Sequence, residues 1–475
     1  MSQDATTPTV AEHPNTKAVL RITIVAAFGG FLFGYDSAVI NGAVSAIQEE
    51  FGVGDLQLGF AIASALLGAA AGAFFGGRVA DALGRVPVMK IAAVLFLVSA
   101  IACGVVDSFG WLIFWRIVGG VGVGVASVIA PAYIAEVAPA SVRGRLGSLQ
   151  QMGIVLGIFI ALAVDAWLAA LAGGSTEPLW WGFEAWRWMF MAEAIPAVAY
   201  LIGSFTIPES PRYLVEDGRP DEARAVLANL QGSASAAERV RLIKLSLQTE
   251  HKPRLSDLRG SSAGLKPIVW VGIGLAALQQ FVGINVIFYY SNVLWQSVGF
   301  TEADSFTITV ITSVVNVAVT IVAIALVEKV GRRRLLLVGS MGMTLSLGTL
   351  AVLFATAEKV LVDGELSPVL GPIAGPLALV AANLFVVFFG VSWGPMMWVL
   401  LGEMFPNRIR GAALAVAGFV QWIANWLVTV TFPTLADFSL GLAYGLYAFF
   451  GLVSLIFTIK MVRETTGIEL EDMQD

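Results

Sequence analysis

Apolar runs long enough to cross a bilayer recur along almost the whole 475-residue chain, and no other feature narrows its fold so far. They cover residues 19–44, 58–80, 88–106, 110–135, 146–170, 187–207, 267–297, 306–327, 335–356, 372–402, 411–432 and 440–461. A helix needs about 20 apolar residues to span the hydrocarbon core. Inside lipid every backbone group must be satisfied by its own element, which favours helices. The expectation is an all-α membrane protein of twelve transmembrane helices. Composition agrees: 57% of residues are hydrophobic and 13% charged, where a soluble domain carries roughly a quarter charged.

The longest non-apolar region separates six spans from six. The expected segments are a tail over 1–18, a first bundle over 19–207, a linker over 208–266, a second bundle over 267–462 and a tail over 463–475. Within the linker, 216–230 and 234–248 have helical periodicity with charged faces. Basic residues gather in alternate loops: Arg78, Arg85 and Lys90, then Arg143 and Arg145, then the linker, then Lys329 to Arg334, then Arg408 and Arg410, then Lys460 and Arg463. The positive-inside rule places both termini in the cytoplasm of a cell-membrane protein, with lipid as a partner. The first run has no cleavage-site pattern after it and reads as a retained span. A net charge of −6 without a basic tract argues against nucleic acid. Cys103 is the only cysteine, and His13 and His251 lie in polar segments, so no disulfide framework and no metal site is expected.

The two halves share spaced motifs. D-x-x-G-R at Asp81 to Arg85 matches E-x-x-G-R at Glu328 to Arg332, each after the second span of its half. E-x-x-P-x-x-x-R-G at Glu136 to Gly144 recurs at Glu403 to Gly411, after the fourth. Two repeats imply a site near mid-membrane, with the bundles rocking about it. Asp81, Arg85, Glu136, Arg143, Glu209, Arg212, Glu328, Arg332, Glu403 and Arg410 are expected to form a cytoplasmic gate, through ion pairs across the bundle interface. The plainer alternative is that they only set topology.

These motifs, with PESPRYL at 208–214, QQFVGIN at 279–285 and GRR at 331–333, resemble the sugar porter family of the major facilitator superfamily. The likeness runs from about residue 18 to 465. It is nearest to actinobacterial glucose permeases, with xylose–proton symporters and human facilitative glucose transporters more distant. The resemblance implies alternating access between two six-helix bundles, without ATP. Nothing in the sequence presents a nucleophile–base pair, metal ligands or a nucleotide loop, so neither an enzyme nor a cofactor is expected, and one chain holds a complete two-bundle path, enough to function as a monomer. No G-x-x-x-x-G-K-[ST] loop is present.

A sugar offers hydroxyls that donate and accept, and apolar C–H faces, so amides and aromatic rings suit it. By resemblance, Gln279, Gln280, Asn285 and Tyr289 line a sugar site, with a helix break near Gly283 to converge them. Gln151, Asn316, Gly394, Trp398, Gln421, Trp422 and Phe33 match further family contacts. Gly394 and Pro395 would let their helix bend. Such amides can equally serve only to bond helix to helix. Ile158 stands where xylose symporters have a glutamine, which counts against pentose selectivity.

Three ionisable residues are read as embedded in the first six spans: Asp36, Arg116 and Glu193. A charge at the bilayer centre costs about 2.5–3.5 kcal/mol on insertion scales, and such residues tend to be functional. Gly119, Gly120, Gly122 and Gly124 follow Arg116 and allow close helix approach. By resemblance, Asp36 and Arg116 form the pair found in proton-coupled members, whereas facilitative members carry asparagine in place of Asp36. Glu193 either tunes Asp36 or is structural, and the pair itself can be read as a permanent strut. The resulting expectation is a proton-coupled hexose symporter, with D-glucose as substrate. A symporter for xylose, galactose or a polyol, a facilitative uniporter and a non-transporting sugar sensor are the alternatives.

Overall fold

The computed structural model describes residues 15–138, 143–249, 255–260, 264–362, 365–406 and 409–464. The chain enters the first bundle through α1 (Thr16–Ala38) and, after an interruption at Val39, α2 (Ile40–Phe51). Next come α3 (Asp55–Leu83), α4 (Arg85–Val105), α5 (Phe109–Val137) and α6 (Arg143–Ala172). A small hairpin, β1 (Pro178–Trp180) with β2 (Phe183–Glu184), leads into α7 (Ala185–Ala192) and α8 (Ala194–Ser204). The linker holds α9 (Pro211–Glu216), α10 (Pro220–Gln231), α11 (Ser233–Thr249) and a 3-10 turn (Leu255–Leu258). The second bundle comprises α12 (Pro267–Phe281), α13 (Ile284–Gln296), α14 (Glu302–Val330) and α15 (Arg332–Ala355). A second hairpin, β3 (Glu358–Val362) with β4 (Glu365–Val369), precedes α16 (Ala374–Gly390), α17 (Trp393–Met404) and α18 (Arg410–Met461).

Among the described residues, ten helical stretches are long and apolar enough to span a membrane by themselves. Twelve spans follow from two details. The pair α7–α8 makes a further span interrupted at Glu193. The 52-residue α18 is two spans joined at Ser439, whose φ of −171° and ψ of 115° are extended. The first, sixth, seventh and tenth spans are thus each built from two helices. Neither hairpin was expected from the sequence; both are short pieces between spans, where helical periodicity gives no signal.

Breaks have local causes. Gly283 adopts φ +79° between α12 and α13, where a side chain would be strained and would stand 2.8 Å from the Tyr447 ring. In the tenth span the break falls at Ser392 (φ −129°, ψ −94°), two residues before the expected Gly394, and Pro395 lies in the first turn of α17. Proline is tolerated there because the first turn's N–H groups have no helical partner.

Glycines set the packing within the first bundle. A Cβ on Gly34 would run into the Ile154 carbonyl of α6, and one on Gly157 into the Phe31 carbonyl of α1. Likewise Gly120 and Gly124 of α5 sit on the Ala65 and Ala69 carbonyls of α3. Such approach gives dispersion contact between backbones where the hydrophobic effect supplies no drive. The halves meet chiefly through α3 against α18 and α6 against α14, with α2 against α13. The linker helices close a separate small core of Leu214, Val215, Ala223, Leu227, Ala236 and Val240.

Candidate functional site

The breaks in the seventh and tenth spans bring amides and backbone carbonyls together. Gln279, at the end of α12, donates through Nε2 to the carbonyls of Trp393 (3.0 Å) and Gly394 (3.2 Å). Those carbonyls belong to the first two residues of α17, and a carbonyl has a second lone pair with which to accept. Asn285 donates to Gln280 Oε1 (2.7 Å), and Gln280 donates to Gln279 Oε1 (3.1 Å). Gln421 of α18 donates to the same Oε1 (3.2 Å), while its own Oε1 is buried without a partner. Five of the singled-out positions, Gln279, Gln280, Asn285, Gln421 and Gly394, therefore form one network.

Aromatic groups close this centre from both halves. Phe33 of α1 packs on Trp422 of α18 with ring centroids 5.5 Å apart. Tyr289 is buried and, with Ser37, Ile40, Ile62, Ala65, Leu66 and Arg116, lines a cavity of about 10 Å³. That is room for one water. Asn316 of α14 lies beside Gly390, Trp398 is 42% exposed near Gly418, and Gln151 is half-buried on α6. Among the described residues these three are not hydrogen-bonded into the network.

Asp36 and Arg116 do meet. Arg116 Nη1 donates to the Asp36 carbonyl (3.1 Å) and to Asp36 Oδ1 (3.4 Å), and both residues are 2% exposed. Asp36 Oδ2 and Arg116 Nε have no partner. The contact is thus single and long, not the bidentate fork that an arginine and a carboxylate make when tightly locked. The Arg116 guanidinium also lies 5.7 Å from the Phe190 ring centroid. Glu193 occupies the α7–α8 break, 1% exposed, with Oε1 unpartnered. Gly119 of α5 leaves space at this point, since a Cβ there would stand 3.2 Å from Asp36 Oδ1.

At the cytoplasmic motifs, the ion pairs described lie within the halves. Arg85 pairs with Asp81 (3.2 Å) and Glu136 (3.1 Å), and Arg332 with Glu403 (2.9 Å), each inside one half. Glu209 accepts from the backbone N–H groups of Arg85 (3.0 Å) and Val86 (3.1 Å), capping α4. Ser210 donates to Glu136. The second half repeats this with Glu464, which takes the N–H groups of Arg332 (3.0 Å) and Arg333 (3.1 Å). A carboxylate at a helix N-terminus satisfies donors that have no helical partner and complements the dipole. Arg212 is half-buried on α9, and Arg410 donates to the Phe405 carbonyl (3.1 Å). The side chains of Arg143 and Glu328 lie outside the described residues.

Sequence reasoning missed three groups. Glu464 follows the twelfth span as Glu209 follows the sixth, a third repeated position legible in PES and RET. Asp165 of α6 is a fourth embedded ionisable residue in the first bundle, visible in IALAVDAWLAAL, so the expected count of three was short. It is 0% exposed, with both carboxylate oxygens unpartnered. Gln150, beside the singled-out Gln151, is buried against Gly30 with neither amide atom partnered.

Two six-span bundles around a buried polar centre, with helices broken at that centre, define a membrane transporter and not an enzyme. The sequence profile of the family described as "Sugar (and other) transporter" matches residues 22–475, and the chain belongs to that family. It is 56% identical over 461 residues to a glucose transport protein of Synechocystis sp., covering 97% of each chain. It is similar to the partially occluded inward-open conformation of the xylose transporter XylE from E. coli, with a TM-score of 0.81 and 34% identity, over 95% of this chain and 100% of that one. The proton:xylose symporter XylE bound to 6-bromo-6-deoxy-D-glucose gives a TM-score of 0.78 at 35% identity, over 97% and 99% of the two chains.

Proposed function

We propose that this chain is a proton-coupled monosaccharide symporter that carries D-glucose by alternating access. Support for the sugar comes from the amide network and from similarity to a glucose transport protein. The observation that carries the proton coupling is the loose Asp36–Arg116 contact, with Asp36 Oδ2 left over. Asp36 takes up the proton, Arg116 replaces it as partner when the proton leaves, and Glu193 tunes the exchange. Only the states with proton and sugar together, or with neither, reorient readily. One charge moving through 100 mV yields about 2.3 kcal/mol, enough for roughly forty-fold sugar accumulation.

In this reading Gln279, Gln280, Asn285 and Gln421 hold the sugar hydroxyls, joined by Gln151 and Asn316 from the facing helices. Phe33, Tyr289, Trp398 and Trp422 cover its carbon faces, and Gly394 leaves room beside them. The paired motifs fasten the cytoplasmic ends of each bundle so that it moves as a unit. Both termini face the cytoplasm, as the basic loops favour, and a single chain in the cell membrane suffices.

The test is uptake of a labelled monosaccharide panel into proteoliposomes, with and without an imposed proton gradient. Glucose uptake against its gradient, lost with Asp36→Asn while glucose exchange persists, is the expected result. Uptake indifferent to the proton gradient overturns symport and leaves a uniporter. A response to xylose, galactose or a polyol alone moves the substrate.

A further inference from the structure

Asp165 is the buried carboxyl that the mechanism above does not use. It lies on α6, 0% exposed; the backbone N–H of Gly42 on α2 approaches it, but neither oxygen makes a well-formed hydrogen bond among the described residues. The elements packed on α6 are α1, α2, α5, α7, α14 and β1. From α1, Tyr35 lies within electrostatic reach of Asp165 and of Glu193, and its hydroxyl is also unpartnered. The cations on these elements near it are committed: Arg116 of α5 to Asp36, and Arg187 of α7 to Glu50, Asp107 and Glu184. From α14, Glu302 accepts from the Ser175 N–H and Asp304 from Thr301, and β1 has no titratable residue. A buried carboxylate without a cation is costly, and protonation removes that cost.

Its nearest neighbours say what could change that. A Cβ on Gly42 would stand 2.7 Å from Met189 Sδ and 2.8 Å from Asp165 Cβ, so α2 lies directly over the acid. The preceding residue, Asn41, joins the two halves. It donates to the Phe288 carbonyl (2.8 Å) and to Ser291 Oγ (2.9 Å), and accepts from the Asn292 N–H (3.1 Å). All three are on α13. One turn of α2 thus covers Asp165 with one residue and fastens the outer closure with the next.

We propose that Asp165 is a second proton site, occupied while α2 is fastened to α13 and emptied to external water when α2 withdraws. The outer closure is then pH-sensitive: raising the external pH removes the proton from the open state and favours opening. The idea rests on alternating access, but not on Asp36 as the coupling acid.

Spin labels at Gly54→Cys and Gly371→Cys, in a Cys103→Ser chain reconstituted in lipid, would report opening by distance between about pH 6 and about pH 9. Both glycines have open space around them. The measurement is made in Asp36→Asn, which removes the other proposed proton site, and needs no transport. The open-to-closed ratio should rise with pH, by at most about tenfold per unit for one proton. Adding Asp165→Asn should flatten the response, and Asp165→Glu should restore it. A response that survives Asp165→Asn, is absent from the start, or fails to return with Asp165→Glu overturns the proposal. Failure of the symport reading shows separately, as uptake indifferent to the proton gradient.

Discussion

In the first six spans Asp36, Asp165 and Glu193 are each at most 2% exposed, and each has a carboxylate oxygen without a hydrogen-bond partner. In the last six, the buried Gln279 and Gln280 and the half-buried Asn285 bond to one another and to the first residues of α17. The same repeat has therefore been filled in two ways. Acids change charge when a proton arrives, and their unmet oxygens make protonation sensitive to what moves nearby. Amides never change charge, and donate and accept at once, which suits a neutral polyhydroxyl ligand. The division suits the proposed symport, in which one half responds to protons and the other to sugar.

The comparison breaks most visibly at Asp36. Asp36→Asn is expected to abolish gradient-driven accumulation, from roughly forty-fold to none, with counterflow exchange retained. Loss of both would make the pair with Arg116 a strut. Next in size is the glycine packing of the first bundle. Gly120→Val drives a side chain into the Ala65 backbone and should cost about 3 kcal/mol, read as a lower melting temperature in detergent. Gly348→Ala in α15, with open space at its Cβ, should change stability by less than about 0.5 kcal/mol.

In the amide half, Gln280→Ala removes the link between Gln279 and Asn285. An affinity loss of about 1–3 kcal/mol is expected, seen as a raised KM for glucose with the proton dependence unchanged. Smaller than the Gln280 effect is that of Asn41→Ala, which removes three hydrogen bonds between the halves. A shift of about 1–2 kcal/mol toward the outward-open state should follow, measured by label distances across the outer loops. A larger shift than that of Gln280→Ala on sugar affinity would place more of the coupling at the closure than at the centre.

Much of the architecture was legible in the residues alone. Span number followed from the length of apolar runs, and the paired motifs exposed the repeat before any contact was known. The linker helices α10 and α11 fall on 220–231 and 233–249, close to where charged-face periodicity put them. Gly283 could be named as a break because only glycine sits readily at φ +79°. Less legible was which side chain meets which: Asp36 and Arg116 pair as expected, but the partners of the cytoplasmic arginines do not follow from spacing. Arg85 and Arg332 could have reached across the interface or within their own half, and spacing along the chain is blind to that choice. Asp165 was visible yet passed over, because a single acid near the end of an apolar run looks like a boundary residue. Burial distinguishes the two cases, and burial belongs to the packing.

The sequence by itself determined the twelve crossings, the twofold repeat and the chemical character of each half, because these depend on hydropathy, spacing and residue type. Tertiary structure alone decided that Asn41 fastens α2 to α13, that Glu464 accepts from the N–H groups of Arg332 and Arg333, and that no cation pairs with Asp165 among the described residues. Those facts depend on distances between residues far apart in the chain. The energy of a polar group in lipid is set by its partners, and partners are chosen only when the helices have packed.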